Sequence, residues 1–272
     1  MVPVVRIACQ EQLLPGDSLQ EKFEFALRCG FDAIELRGRG GFALRERLPR
    51  LRKARADGVP MPVVCVEMLH FIGDFDAERR RDAIDNMRSQ LSVIAELGGE
   101  AAMTPASYGM FSRRLPPFQP PRTPEQDRAV LLDGLGELGE HARAEGVRIL
   151  LEPLNRYEDH MVNRLRDAVE LVEALGLDSV RVAADTYHMN IEEDHPASAV
   201  LAAAPYLAHV QVSDSNRFQP GAGHLDWASV LGALNSVGYA GYLGLECRLR
   251  GDPATVLGQV PAFLRRMAFG QV

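Results

Sequence analysis

The chain has 272 residues, 46% of them hydrophobic and 25% charged, with a formal net charge of −7. These are ordinary globular proportions, and the length suits one large domain or two small ones that fold without covalent staples. The acidic balance argues against a nucleic-acid partner, and no uncharged run approaches the ~18 residues of a membrane span.

Short apolar runs, taken in chain order, read as strands. VVRIAC (4–9), DAIEL (32–36) and PVVCVE (62–67) are the first three. Over 77–97, Ala83, Met87, Leu91, Ile94 and Leu97 recur at steps of three and four, the stripe of an amphipathic helix. EAAMT (100–104) is the fourth strand. The stretch PASYGMFSRRLPPFQPPR (105–122) holds five prolines, which exclude a regular helix. It reads either as a lid over a site or as a surface excursion, with Phe111, Leu115 and Phe118 available for an oligomer contact. Thr123, Pro124 and Gln126 then form a helix start, with Thr as N-cap and Pro at the first turn, ahead of a stripe of Val130, Leu131, Leu135 and Leu138. VRILLE (147–152), a helical stretch at 165–175, VRVAAD (180–185) and LAHVQVSD (207–214) follow. Asp226 caps a helix carrying Val230, Leu231 and Leu234 with Gly238 beyond its end; GYLGLE (241–246) and a helix over 254–268 complete the series.

Eight strands, apolar on both faces and alternating with about eight helices, predict a single-domain α/β fold over residues 1–272, the (β/α)8 TIM barrel. A doubly wound open sheet is the alternative, but no GxGxxG follows the first strand. The opening MVPVVRIACQEQLLPGD lacks the basic region and long apolar core of a secretion signal. Cys9, Cys29, Cys65 and Cys247 are scattered, with no CxxC, so reduced thiols in a cytoplasmic protein are expected.

Function in a barrel belongs at the C-terminal ends of the strands. Four successive strands here finish on a potential ligand: Glu152, Asp185, Gln211 and Glu246. Neighbouring parallel strands are about 4.8 Å apart, so side chains on one rim can converge. Three converging carboxylates repel and raise one another's pKa, and a divalent cation relieves this. An all-oxygen donor set suits Mg²⁺ or Mn²⁺, with Co²⁺ as a further candidate. The alternative is that each acid caps the next helix or pairs with an arginine. His209 lies two residues before Gln211 on the same side of its strand, and is expected to support it rather than bind metal. Tyr108 and Met110 after the fourth strand, and Glu67 and His70 after the third, are candidates to line the pocket.

The segments EPLNRYE (152–158), DTYHMNIEE (185–193), HVQVSDSNRFQPGAGHLDW (209–227) and GLE (244–246), in this order, resemble the xylose-isomerase-like superfamily of sugar isomerases and epimerases, and within it most of all the ketose 3-epimerases. The resemblance implies Glu152, Asp185, the residue at 211 and Glu246 as metal ligands. It implies Glu152 and Glu246 as the acid/base pair, and Glu158, His188 and Arg217 as contacts to substrate oxygens. Ketose 3-epimerases carry His in the position of Gln211; HVQ is similar to the hydroxypyruvate isomerase branch, where Gln is a ligand.

The expected function is therefore a divalent-metal-dependent isomerase or epimerase of carbohydrate metabolism. It would act on a small sugar or sugar derivative by removing a proton next to a carbonyl through a metal-stabilised enediolate. The alternatives are a lyase or dehydratase on a 3-oxo-sugar or 3-oxo-glycoside, and a hydroxypyruvate-isomerase-like enzyme. An abasic-site endonuclease shares the superfamily, but looks richer in metal-binding histidine and fits poorly with an acidic chain. A non-catalytic sugar-binding subunit conflicts with the intact set of acids. Relatives are often dimers or tetramers, so a homo-oligomer is expected, with no nucleic-acid or membrane partner. Arg113 and Arg114 either receive a phosphate or keep the long loop soluble. Trp227 is expected to pack the last helix rather than stack on a sugar.

Overall fold

The computed structural model describes residues 5–111 and 119–269. Leu115, Phe118, Arg113 and Arg114 lie outside the described residues. The strands are β1 (Arg6–Gln10), β2 (Ala33–Arg39), β3 (Val63–Glu67), β4 (Ala101–Pro105), β5 (Arg148–Glu152), β6 (Val180–Asp185), β7 (Leu207–Val212) and β8 (Tyr242–Leu245). Each pairs in parallel with the next, and β8 pairs with β1, which closes an eight-stranded barrel. The helices are α1 (Leu19–Cys29), α2 (Ala43–Glu46), α3 (Leu48–Ala56), α4 (Ala77–Glu96), α5 (Pro124–Glu145), α6 (Leu165–Leu175), α7 (Thr186–Glu192), α8 (Pro196–Ala203), α9 (Trp227–Ser236) and α10 (Pro253–Phe269). The count exceeds the expected eight because β2 and β6 are each followed by two helices.

The local signals act as expected from the sequence. Thr123 and Gln126 form a reciprocal capping box at the start of α5, with Pro124 in the first turn. The Asp226 carboxylate accepts from the backbone N–H of Ser229 and caps α9. The apolar stripe of α4 is buried at Ala83, Met87, Leu91 and Ile94. The main core fills the layer between strands and helices, and a smaller cluster of Val63, Ala101, Met103, Leu150 and Ala183 fills the lower barrel interior. Trp227 is buried and meets Phe263 of α10 edge-on, with ring centroids 6.1 Å apart. All four cysteines are free thiols. Among the described residues, no helix is long and apolar enough to cross a membrane.

One irregularity matters for the site. Val182 pairs with Leu207, but the next residue, Ala183, pairs with His209, so Ala208 is an extra residue in β7. A bulge of one residue reverses the side-chain alternation beyond it. His209 and Gln211 therefore share the face of Ala183 and Asp185, the interior face.

Candidate active site

Glu152 ends β5 and Asp185 ends β6, both almost fully buried. Gln211 pairs in register with Asp185 and is completely buried. Glu246 stands one residue past β8, where its backbone N–H donates to Val212 O. Four neighbouring strands thus deliver three carboxylates and one amide to one end of the barrel.

Arg217 supplies positive charge among them. Its Nη1 donates to Asp185 Oδ2 at 2.6 Å and its Nη2 to Glu246 Oε2 at 2.9 Å. These partners differ from Asp214 and Asp226, which lie nearer in sequence. The reason is the loop after β7. The Asp214 carboxylate accepts from the backbone N–H groups of Ser215, Gly221 and Leu225 and from Trp227 Nε1, which winds the loop tightly. Arg217 sits in that loop with φ 62°, a left-handed conformation that a non-glycine residue adopts only when its surroundings hold it there. Its guanidinium also lies 4.9 Å over the ring of Tyr187. Burial opposes the charge on Arg217, but Asp185 and Glu246 hold it protonated.

Glu152 takes no part in that fork. Burial, and then the charges of Glu246 and Asp185, push its pKa well above the usual carboxylate range, with Arg217 offsetting only part of this. Burial likewise raises Glu246, although Arg217 pulls it down. Asp185 has a double role: Oδ1 accepts from the Tyr187 backbone N–H and caps α7, while Oδ2 faces Arg217. Capping and site chemistry are thus combined in this residue rather than alternatives.

His188 lies on α7, not on a loop. Glu152, Asp185 and His188 offer potential ligand atoms within 4.8 Å of one another. The hydrogen bonds of the ring nonetheless argue against a metal-binding nitrogen. Nδ1 accepts from the Asn155 backbone N–H at 3.0 Å, so in the neutral ring the hydrogen is on Nε2. Burial, reinforced by Arg217, lowers the ring's pKa to about 3, which keeps it neutral near pH 7. Its Nε2 lies 3.9 Å from Glu158 Oε2 and 4.0 Å from Asp185 Oδ2.

The oxygen donors at these four strand ends, Glu152, Asp185, Gln211 and Glu246, are the residues that could hold a divalent cation, and of them Glu152 and Asp185 belong to the close group of ligand atoms. One observation supports this beyond the donor types. Gln211 Oε1 is buried with no hydrogen-bond partner among the described residues, although a buried carbonyl oxygen normally has one. An oxygen-binding cation would satisfy it.

The other candidates are placed less centrally. Tyr108 is 55% exposed and its ring tilts against Phe71. His70 is tied by Nδ1 to Asp82 of α4 at 2.8 Å, and Glu67 pairs with Arg37 and Arg39 of β2. The structure does not bring His70 or Glu67 together with the carboxylate cluster.

Sequence reasoning missed Glu35, in the middle of β2 and completely buried. Its carboxylate joins Gln10, His209 and Gln211. The available signal was an acid set among Ala33, Ile34 and Leu36 in the apolar half of β2, a position that requires specific partners.

A family model described as Xylose isomerase-like TIM barrel matches residues 23–267. The 3-dehydro-D-guloside 4-epimerase of Escherichia coli (strain K12) is 37% identical over 263 residues, 96% of this chain and 99% of that protein. The D-psicose 3-epimerase of Enterocloster bolteae is 31% identical over 235 residues, 80% of this chain and 72% of that protein. The crystal structure of 3-keto-D-glucoside 4-epimerase from E. coli superposes with a TM-score of 0.90 at 36% identity, covering 96% of this chain and 99% of that one.

Proposed function

The chain belongs to the xylose isomerase-like TIM barrel family, and from that premise we propose that it is a sugar epimerase that inverts C4 of a 3-keto-glycoside with the help of a divalent cation. It is an enzyme of the isomerase class, like the epimerases it resembles over most of its length. The observation that carries the substrate assignment is the 37% identity along 99% of the E. coli 4-epimerase. Gln211, standing where ketose 3-epimerases carry His, weakens the ketose reading.

The chemistry is consistent with this assignment. A C3 ketone acidifies the proton on C4, just as a C2 ketone acidifies the proton on C3 of a ketose. Glu152, Asp185, Gln211 and Glu246 would hold the cation through oxygen atoms only, a donor set that favours Mn²⁺ or Mg²⁺. When bound, the cation is a Lewis acid that stabilises negative charge developing on the substrate oxygen. Glu152 and Glu246 approach from β5 and β8 and flank the reacting carbon. One removes the proton and the other returns it on the opposite face. Arg217 and the His188 Nε2–H donate to substrate oxygens, and Glu158 accepts from a hydroxyl.

His188→Ala is expected to raise KM about tenfold, the worth of one or two hydrogen bonds, while changing kcat much less. Steady-state kinetics on the preferred substrate check this; an unchanged KM contradicts the role. The substrate assignment is tested by comparing kcat/KM for a methyl 3-keto-hexoside with that for D-psicose. The 3-keto-hexoside is expected to be favoured by about 100-fold, within the range that pocket contacts provide. Faster interconversion of D-psicose and D-fructose would replace this reading with a ketose 3-epimerase.

A further inference from the structure

Glu35 lies deeper in the barrel than the rim acids, and all its hydrogen bonds go to uncharged partners or to imidazole. Its Oε1 accepts from Gln10 Nε2 at 2.8 Å and from Gln211 Nε2 at 2.8 Å, and its Oε2 is 2.7 Å from His209 Nε2. Gln10 is its register partner on β1, whereas His209 and Gln211 come from β7 on the far side of β8. The carboxylate therefore reaches across β8, and Gly244 makes that passage possible. A methyl group at 244 would overlap Glu35 Oε2 and lie 2.9 Å from His209 Nε2.

An amide side chain has a donor end and an acceptor end, and its neighbours decide which way it points. A carboxylate offers only acceptors, so Glu35 holds Gln211 by Nε2. The Oε1 end is then the one left without a protein partner, and it is the end a cation needs. Turning the amide over would place two oxygens against each other at Glu35 and present N–H groups to the cation.

We propose that Glu35 is a positioning residue that fixes the orientation of the Gln211 amide and so sets the fourth ligand of the cation site. The proposal rests on the reading above that Gln211 holds the cation. Outer partners of this kind orient metal ligands and influence affinity without touching the ion. His209 has the supporting place expected from the sequence, bonded to the same carboxylate.

The test is the Mn²⁺ dissociation constant of the full chain, measured by loss of the free-ion EPR signal, for wild type, Glu35→Gln, Gln211→Ala and the double variant. An amide at 35 can donate to Gln211 Oε1 and no longer selects its orientation. Glu35→Gln is expected to weaken Mn²⁺ binding about 10- to 100-fold. Adding it to Gln211→Ala should change the constant by less than about threefold, since no amide remains to orient. Wild-type affinity in Glu35→Gln, with weakened affinity in Gln211→Ala, would overturn the positioning role and leave the cation site standing. An equal loss in the Gln211→Ala background would assign Glu35 a general structural role and also overturn it. Wild-type affinity in Gln211→Ala would remove the ligand reading itself. Gly244→Ala reaches the same point without altering charge, by displacing Glu35 Oε2, and should weaken Mn²⁺ by a comparable factor. Wild-type affinity there would contradict the proposal even if Glu35→Gln failed to fold.

Discussion

Glu152→Gln and Glu246→Gln are each expected to lower epimerisation turnover by about 10²- to 10⁴-fold, the usual contribution of a positioned acid or base. Glutamine keeps an oxygen in place for the cation but cannot exchange a proton, so the loss should fall on kcat more than on metal binding. The two variants should also differ in an informative way. With one base on each face of the reacting carbon, each base serves one epimer's proton. Glu152→Gln should still exchange deuterium from solvent into one epimer, through Glu246, without converting it to the other. Glu246→Gln should do the same for the opposite epimer, through Glu152. NMR in D₂O, started from each pure epimer, reads both outcomes. Wild-type turnover in either variant, or loss of exchange from both epimers in one variant alone, would contradict the two-base arrangement.

Removal of the cation should cost a large part of the protein's thermal stability. Glu152, Asp185 and Glu246 converge, and Arg217 forks only Asp185 and Glu246. A cation present at about 1,000 times its dissociation constant stabilises the native state by about 4 kcal/mol. For a domain of this size that is on the order of 10 °C in Tm. Thermal unfolding with Mn²⁺ and with EDTA should show this difference at neutral pH. The sign of its pH dependence follows from the raised carboxyl of Glu152: as pH falls, protons compete with the cation for the same oxygens, and the Tm gap narrows. An EDTA-insensitive Tm would mean that the acids are balanced by Arg217 and helix capping alone.

The barrel was legible because its signals are local. Each strand is a short run apolar on both faces, and the caps at Thr123 and Asp226 mark helix starts by side-chain chemistry alone. The four polar strand ends were legible for the same reason, since the fold sends every strand's C-terminus to one rim. What depends on three-dimensional closure was not. Glu35 reads as one acid among Ala33, Ile34 and Leu36 until β7, 174 residues later, arrives with His209. The extra residue Ala208 decides which side of β7 faces inward, and nothing in LAHVQV marks it. Arg217 has Asp214 and Asp226 nearby in sequence, yet its left-handed backbone carries it to Asp185 and Glu246. His70 follows its strand into the right region but turns back to Asp82 on α4. Substrate identity is least legible, because proton abstraction beside C2 or C3 ketones requires the same acids.

The most direct test of the central claim is one NMR experiment on a methyl 3-keto-hexoside in D₂O with the purified enzyme, repeated after EDTA and after Mn²⁺ is restored. The C4 epimer is expected to appear with deuterium at C4, to be lost with EDTA and to return with Mn²⁺. Epimerisation that ignores EDTA, or a product without deuterium at the inverted carbon, would contradict a cation-assisted proton transfer at this site.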